Sequence, residues 1–253
     1  MKLFCFLIGL IMIGVSFAQE TSIVFDRPGI ADSPYLVEQK TWQIEAGMGY
    51  SAITGWKEVP NPTVMLRKAI SKNDELRLTY NYGLQMIALI KDDMSTGFDH
   101  LSLGWKRKLI NEKNGIPETS FLLNAYFPLQ LLNKIAHAGV YAIEAGFQCQ
   151  NNLSERFALN YNMGGLITNK YKTGVLTSSV CLNIIGSEKI GFFIEGFVYA
   201  PFQNTYIELG ADVGIVYNPT QSSQIDLSFI NNYYNGSHYA TVLFGYSISL
   251  GRK

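Results

Sequence analysis

The sequence predicts an all-β protein that folds as a closed antiparallel transmembrane β-barrel of about twelve strands in meander order. Three observations favour this fold class: an N-terminus suited to export, long segments that alternate apolar and polar residues, and turns that alternate between short and long. The composition agrees, because 47% hydrophobic and 13% aromatic content accompanies only 16% charged residues. No apolar run after residue 18 is long enough for a transmembrane helix, whereas the strands of a barrel need no strongly apolar segment.

Residues 1–18 are predicted to form a cleaved signal peptide. Lys2 precedes an apolar run over residues 3–17. Ser16 and Ala18 are small residues at the two positions that signal peptidase recognises, and this pattern predicts cleavage after Ala18. An N-terminal membrane anchor is the alternative, but the run is short for a spanning helix. Residue 19 is glutamine, not the cysteine of a lipoprotein. We therefore expect an exported chain without a lipid anchor.

Residues 19–40 show no alternation and contain Pro28 and Pro34, so they are not predicted to form a strand. Two arrangements suit this segment. It is either a periplasmic tether or a plug that folds into the barrel interior, and the sequence leaves both open. The barrel itself is expected over residues 41–253.

About twelve segments alternate with the period of a β-strand. In the clearest, residues 75–86, Leu76 and Leu78 share one face while Glu75 and Arg77 share the other. A strand tilted across a bilayer needs about nine to eleven residues, more than the usual strand of a soluble protein. The predicted strands are residues 41–51, 63–70, 75–86, 97–109, 119–127, 139–150, 156–168, 173–184, 190–199, 206–217, 224–232 and 238–250.

The turns between these segments predict the orientation of the barrel. Residues 71–74, 151–154 and 186–189 have the composition of tight hairpin turns, whereas residues 55–61 and 129–138 form longer connections. Outer-membrane barrels have short periplasmic turns and longer extracellular loops. With an even number of strands, both termini are then expected in the periplasm.

Charged side chains indicate which face of each strand meets lipid. A Lys or Arg on the outer face at the bilayer midplane costs roughly 2–4 kcal/mol, and acidic side chains cost somewhat less. A register slip of one residue would expose the whole polar face, so the register with charges in the interior, or lumen, is strongly selected. The lumen-lining candidates are Glu45, Glu75, Arg77, His100, Lys106, Glu144, Arg156, Glu195, Glu208, Asp212 and Asp226.

These candidates admit two interpretations: they select or bind a solute, or they only pair with one another across a filled lumen. The sequence does not decide between them. Lys68 and Arg107 are expected to face outward near the periplasmic rim, where long side chains reach the headgroups. Trp42, Trp105 and Tyr217 at the same rim fit an aromatic girdle.

Several other classes of protein are disfavoured. The 20 basic and 20 acidic residues leave no excess of positive charge for nucleic acid. A secreted β-sandwich would use shorter strands and a more highly charged sheet face. Cys149 and Cys181 are expected on non-adjacent strands with opposite facing, as ordinary small residues and not as a disulfide or metal pair. The histidines lack metal-like spacing and phosphate-binding motifs are absent, so no cofactor is expected.

Short motifs along most of residues 23–250 carry a family resemblance. The chain resembles the outer-membrane transporter-like proteins of the MetA-pathway phenol-degradation family. Two departures from the family pattern are Leu129, where a glycine usually follows the strand-ending proline, and an end at Lys253 instead of an aromatic residue. The motifs are Phe25-Asp26-Arg27-Pro28-Gly29, Asp32-Ser33-Pro34, Trp42-Gln43-Ile44-Glu45-Ala46-Gly47, Gly97-Phe98-Asp99-His100-Leu101-Ser102-Leu103-Gly104-Trp105-Lys106, Asn124-Ala125-Tyr126-Phe127-Pro128, Asp212-Val213-Gly214 and Gln224-Ile225-Asp226-Leu227.

The resemblance implies a channel or transporter that takes up small solutes, with hydrophobic or aromatic molecules as candidates, across the outer membrane of a Gram-negative cell. The implied partners are the lipid bilayer of that membrane, the barrel-assembly machinery and the small-molecule solute. A barrel of about twelve strands is narrow beside a 16-stranded porin, so a constricted or plugged lumen is expected. A structural barrel with a filled lumen is an alternative function.

An outer-membrane lipid hydrolase is the alternative from another class of protein. His100-Leu101-Ser102 has a His-x-Ser spacing that puts both side chains on one face of a strand, where the His could activate the Ser. The lipid-facing side of this strand, however, is expected to carry Leu101, Leu103 and Trp105. His100 and Ser102 are therefore expected to point into the lumen. We therefore expect that the protein is not an enzyme.

Overall fold

A computed structural model describes residues 23–53, 59–60, 62–83, 98–128, 141–169, 174–202, 207–234 and 236–251. These residues form strands and contain no helix. No described helix is therefore long and apolar enough to cross a membrane. The strands are β1 (Trp42–Ile53), β2 (Val59–Pro60), β3 (Thr63–Ala69), β4 (Asp74–Gly83), β5 (Phe98–Ile110), β6 (Glu118–Pro128), β7 (Ala142–Asn152), β8 (Phe157–Thr168), β9 (Gly174–Ile185), β10 (Ile190–Pro201), β11 (Glu208–Thr220), β12 (Ser223–Tyr234) and β13 (Ser237–Leu250).

The sheet closes on itself. From β3 to β13 each strand pairs antiparallel with the next one along the chain, and β1 pairs with both β3 and β13. The closing pair runs in continuous register from Trp42↔Leu250 to Ile53↔Tyr239. The two-residue β2 pairs with β1 beyond the end of β3 and so occupies the same position in the wall as β3. The fold is a closed antiparallel barrel of 12 strands in meander order, which confirms the predicted fold class.

Most strand bounds agree with the alternation in the sequence. The predicted strand over residues 75–86 corresponds to β4, Asp74–Gly83, and its last three residues lie outside the described residues, as does the predicted loop over residues 129–138. Arg156 belongs to the turn before β8, because the Ser154 hydroxyl accepts the backbone N–H groups of Arg156 and Phe157 at 3.2 Å each. These bonds hold the chain in a turn and delay the start of the strand.

The outer face of the barrel is apolar. Ile143, Met163 and Ile194 are 60%, 62% and 57% exposed, and similar side chains recur on the other strands. An exposed apolar surface of this extent is unfavourable in water and is typical of a surface that meets lipid or a partner. The alternation of exposed apolar with buried polar residues is that of a barrel whose outer wall faces hydrocarbon.

The end of the barrel that carries the turn over residues 70–73 has an aromatic and charged rim. Lys68 Nζ lies 4.1 Å from the centroid of the Trp42 ring, a cation–π distance. Trp105 Nε1 donates to Asp74 at 3.1 Å, and Arg107 pairs with Asp74 at 3.5 Å. Long cationic side chains and indole rings suit the boundary between hydrocarbon and water.

Residues 23–40 lie inside the barrel and are here called the plug. The plug makes no strand with the wall, yet Phe25, Asp26, Ala31 and Val37 are buried. Its contacts reach strands on several sides of the lumen, from β1 and β4 to β10 and β12. The plug is therefore held by side chains and not by sheet pairing.

Candidate functional site in the lumen

The inward row of each strand supplies the polar residues of the lumen. Successive side chains of a strand point to opposite faces, so the residues between the exposed apolar ones point inward. A buried charge is costly without a partner, which makes the contacts of the inward charges informative. The buried charged residues of the wall are Glu45, Arg67, Glu75, Arg77, Lys106, Glu118, Glu195, Glu208, Asp212 and Asp226.

Asp26 of the plug sits among three cations of the wall. Its Oδ2 lies 3.2 Å from Arg67 Nη1, 2.6 Å from Arg77 Nη2 and 3.7 Å from Lys106 Nζ. Burial alone would raise the pKa of Asp26, but these cations outweigh burial and hold the pKa well below its usual range. The hydroxyl of Ser33 also donates to Asp26, at 2.7 Å. Asp26 is therefore an anion that fixes the plug against β3, β4 and β5.

Arg67 connects this cluster to two further acids. Its Nη1 lies 2.9 Å from Glu45 on β1, and its Nε lies 2.9 Å from Glu75 on β4. Glu75 also pairs with Arg77, at 2.8 Å from Nε. Because the Arg67, Glu45 and Glu75 side chains are fully buried, each of these charges depends on its partners. The cluster is a network in which a single substitution affects several ions.

Wall side chains also bind the backbone of the plug. Lys106 Nζ donates to the carbonyl oxygens of Ser33 and, at 3.2 Å, of Tyr35. Hydrogen bonds to a charged group are stronger than those between neutral groups. The backbone amides of Arg27, Val37 and Ile30 donate to Glu45, Glu75 and Glu195 at 2.9, 2.7 and 2.8 Å respectively.

Arg27 crosses the seam between the first and last strands. Its Nη2 lies 3.1 Å from Asp226 on β12, and Gln224 donates to its backbone carbonyl at 2.9 Å. Gly47 and Gly245, which face each other across β1 and β13, make room for the guanidinium. A Cβ at Gly47 would lie 2.2 Å from Arg27 Cζ, and one at Gly245 would lie 2.4 Å from Arg27 Nε. Neither position accommodates a larger residue while Arg27 keeps this path.

A second group of acids lies on β7, β10 and β11. Glu144 accepts hydrogen bonds from the Tyr126 hydroxyl and, at 3.2 Å, from Asn124. Glu195 on β10 and Asp212 on β11 are directly cross-strand. Glu208 accepts from Asn232 at 2.7 Å.

A cavity of about 100 Å³ lies between the plug and the wall strands β6 to β10, and Glu144 is the acid of this group that lines it. Ile30 and Asp32 of the plug line one side, and Glu144 and Tyr199 belong to the wall. The cross-strand pair Gly146 and Gly164 also lines it. A Cβ at Gly164 would lie 2.7 Å from a backbone oxygen, so the two strands approach too closely there for a side chain.

The structure brings most of the sequence-predicted residues together in the lumen. Glu45, Glu75, Arg77, Lys106 and Asp226 contact the plug or its partners, and Glu144, Glu195, Glu208 and Asp212 lie on the acidic side. His100 is buried with its ring 5.3 Å from that of Tyr126. Arg156 does not line the lumen, since it is exposed in the turn before β8.

Three functional residues were not predicted from the sequence: Arg67, Asp26 and Arg27. Arg67 could have been found, because alternation within residues 63–69 places it opposite the outward Lys68. Asp26 and Arg27 lie in a segment without alternation, so no pattern indicated their facing. The described residues contain no group of three or more His, Cys, Asp or Glu side chains arranged to hold a metal ion.

The lumen and the wall together define the class of protein to which this chain belongs. It is a transmembrane-type β-barrel whose N-terminal segment folds into the interior. The chain belongs to the family described as "Putative MetA-pathway of phenol degradation", whose profile matches residues 25–247. This confirms the family predicted from the sequence motifs. No curated protein sequence matches this chain.

Solved barrels share the fold at low sequence identity. An outer-membrane channel from Pseudomonas putida F1 superposes with a TM-score of 0.59 and 9% identity, covering 88% of this chain and 99% of that one. The NanC porin gives a TM-score of 0.60 and 8% identity, covering 82% and 100% respectively. The KdgM porin, solved in complex with oligogalacturonate, gives 0.57 and 6%, covering 81% and 99%. At these identities the comparison shows the fold alone.

Proposed function

We propose that the protein is an outer-membrane channel for the uptake of small solutes, with hydrophobic and aromatic molecules among the candidates. The mature chain begins after residue 18, the barrel-assembly machinery inserts it into the outer membrane of a Gram-negative cell, and both termini face the periplasm. The family description names phenol degradation, and the solved barrels of similar fold include channels and porins. These likenesses support the proposal.

The observation that carries the proposal is a closed wall around a plug that shares no strand with it. The plug is held by ion pairs and by single hydrogen bonds to side chains, such as Glu195 to Ile30. Such contacts exchange for water or for a solute without breaking the hydrogen bonds of the barrel. A path for small solutes therefore opens through movement of residues 23–40 within an intact wall.

A lipid hydrolase is less favoured. His100 and Ser102 are buried in the lumen, and Leu101 and Leu103 occupy the positions between and beside them on the strand. Asn81 lies across from His100 on β4, so an amide does stand beside the pair although the sequence around it lacks one. The side chains nevertheless face away from the bilayer, where a lipid substrate would lie. We propose no catalytic role for them.

The test is a panel of planar-bilayer conductance and liposome-swelling measurements on the purified mature protein, with phenol, benzoate and small sugars as solutes. The protein is expected to extract only with detergent, to change its gel mobility on boiling, and to pass small solutes in preference to larger ones. A barrel that inserts correctly but passes neither ions nor any solute would contradict the channel and support a structural barrel with a filled lumen. Fatty-acid release that Ser102→Ala abolishes would support the hydrolase.

A further inference from the structure

We infer that the cavity between the plug and strands β6 to β10 binds a small neutral molecule that carries hydroxyl groups. The inference rests on the proposed function, because the channel is the route by which such a solute reaches the lumen, and it names a class of solute. Three features of the cavity carry it: a hollow in the wall, one unpartnered acceptor in the lining, and acids that are already paired.

The floor of the cavity is a row of residues that crosses five neighbouring strands. Leu122 on β6 faces Gly146 on β7, which faces Gly164 on β8. Gly164 also faces Thr177 on β9, which faces Tyr199 on β10. All five residues line the cavity. The two glycines lie at the centre of the row, where the missing side chains leave a hollow against the backbone of the wall.

The wall cannot fill this hollow with a side chain of its own. A Cβ at Gly164 would lie 2.7 Å from the backbone oxygen of Ala145, and one at Gly146 would lie 3.0 Å from the Cα of Gly164. Both distances are shorter than an ordinary van der Waals contact, so a side chain at either position would push the strands apart. Ile30 and Asp32 of the plug line the opposite side. The hollow is therefore open only to a molecule that enters between plug and wall.

The next row of the wall carries amide and hydroxyl groups. Gln148, Asn162 and Ser179 are cross-strand neighbours on β7, β8 and β9, and all three line the cavity. The Gln148 amide accepts from Ser120 at 3.0 Å and donates to the carbonyl of Gly146 at 3.3 Å. Oδ1 of Asn162, in contrast, is buried and has no hydrogen-bond partner among the described residues. A buried acceptor without a donor is unfavourable, so a molecule that donates to this atom is stabilised in the cavity.

The acids that line the cavity already have partners. Asp32 pairs with Arg77 at 3.1 Å, and Glu144 accepts hydrogen bonds from Tyr126 and, at 3.2 Å, from Asn124. A cation in the cavity would compete with Arg77, and an anion would be repelled by both acids. The other polar side chains of the described lining are amides and hydroxyls without charge. Because a hydroxyl group both donates and accepts a hydrogen bond, a neutral alcohol matches this lining.

The volume of the cavity limits the size of the molecule. About 100 Å³ is several times the space that one water requires. An apolar cavity of about 150 Å³ holds benzene, so in proportion this smaller, polar cavity holds about four non-hydrogen atoms. A two-carbon diol has this size.

The test is a nuclear magnetic resonance titration of the detergent-solubilised full-length mature protein, labelled with ¹⁵N-glycine. The backbone signals of Gly146 and Gly164 report on the floor of the cavity. The probes are matched in size: ethylene glycol is neutral and has two hydroxyl groups, acetone is neutral and has no donor, acetate is an anion, and 2-aminoethanol is a cation at neutral pH. We expect ethylene glycol to bind at least about tenfold more tightly than each of the others.

Three outcomes of this titration would overturn the inference without any variant. Equal binding of ethylene glycol and acetone would show that the cavity does not recognise a donor. Tighter binding of acetate or of 2-aminoethanol would show that it selects charge. Signals of Gly146 and Gly164 that do not change in a saturable way would show that the cavity holds water only.

Variants locate the site. Asn162→Leu removes the unpartnered acceptor at nearly constant volume and is expected to weaken ethylene glycol binding about tenfold or more. Asn231→Leu makes the same change at an exposed position of β12 and is expected to leave binding unchanged. Gel mobility before and after boiling verifies that each variant is folded. A folded Asn162→Leu protein that binds as tightly as the parent would overturn the assignment.

The channel and the site fail separately. The titration measures occupation of the cavity whether or not a solute crosses the barrel, and bilayer conductance measures crossing whether or not the cavity is occupied. Conductance without selective ethylene glycol binding would overturn the alcohol site alone. Selective binding without conductance or solute uptake would overturn the channel and leave the site standing.

Discussion

Arg67 links two acids of the wall to one acid of the plug. It pairs with Glu45, Glu75 and Asp26, and no part of its side chain is exposed. Removing one member of a buried ion pair leaves the others uncompensated, at a cost of about 3–5 kcal/mol. Because one of the three acids belongs to the plug, loss of Arg67 affects the plug as well as the wall.

Arg67→Met is expected to destabilise the plugged state by about 3–5 kcal/mol, since it leaves three acids without this partner. Bilayer conductance and protease access to residues 23–40 measure the effect. Lys68→Met is the matched control, because Lys68 is the next residue, faces the outer rim and lies over the Trp42 ring. Its effect is expected at about 0.5–1 kcal/mol, with the plug in place. Equal effects of the two substitutions would contradict the role of Arg67.

Asp26 gives a prediction about pH. An aspartate of an unfolded chain titrates near 3.9, whereas the neighbouring cations lower the pKa of folded Asp26. A lowered pKa contributes stability that is fully present above the unfolded value and is lost as the pH falls through the folded value. The ¹³C shift of the Asp26 carboxyl in micelles is therefore expected to stay that of a carboxylate from pH 7 to below pH 4. A midpoint at or above the unfolded value would show that the ion pairs do not form.

At the residue scale, alternation was a sufficient guide within strands and no guide outside them. It placed Glu45 and Asp212 inward, because a charged residue on the lipid side is costly. It failed for Arg156, because a serine two residues earlier holds the chain in a turn. Alternation does not predict the position of Asp26, because that position depends on contacts with strands far along the chain.

The neighbouring strands β10 and β11 show how glycine and aromatic residues are matched across a sheet. Phe197 and Gly210 are cross-strand, as are Phe193 and Gly214. The missing side chain on β11 leaves space for the ring on β10 to lie flat against the wall. This pairing keeps two large rings inside a narrow barrel.

Gly210→Ala is expected to destabilise the barrel by about 1–3 kcal/mol, because its Cβ would lie 2.1 Å from a ring atom of Phe197. Gly196→Ala is the matched control on the adjacent strand, where a Cβ would meet nothing within 4 Å. Urea unfolding in lipid bilayers, followed by tryptophan fluorescence, measures both. A Gly196→Ala protein as unstable as Gly210→Ala would show that loss of glycine, and not contact with the ring, is responsible.

At the scale of elements, the strands and their order could be predicted because hairpins join neighbours and each strand repeats the same two-residue pattern. The path of residues 23–40 could not be predicted from such a pattern. A segment without regular structure is positioned by individual contacts, such as Val37 with Glu75, and these exist only once the barrel has formed.

For the whole molecule, the central question is whether the plug moves. Ala31 of the plug and Cys181 of β9 belong to one buried cluster with Phe193, so the native thiol offers a site for cross-linking. Ala31→Cys, made together with Cys149→Ser to remove the second free thiol of the described residues, is expected to form a disulfide with Cys181 on oxidation. Oxidation is expected to lower solute uptake by liposomes several-fold, and reduction to restore it.

The control for this experiment is the same protein with Cys181→Ser, which cannot form the cross-link and is expected to ignore the oxidant. Equal uptake by the oxidised and reduced forms of the cross-linkable protein would show that solutes pass without movement of the plug at Ala31. The solute could not be predicted from the sequence, because it depends on the shape that plug and wall form together. The fold could be predicted because the same alternation of apolar and polar residues repeats from strand to strand.

The position of the Arg27 guanidinium over Gly47 and Gly245 also bears on the order of assembly. These glycines belong to the first and last strands, whose pairing closes the sheet into a cylinder. An arginine seated there, and anchored to Asp226 on the penultimate strand, joins chain segments made at opposite ends of synthesis. We expect the N-terminal segment to be captured as the cylinder closes, so that it is enclosed during biogenesis and not threaded in afterwards.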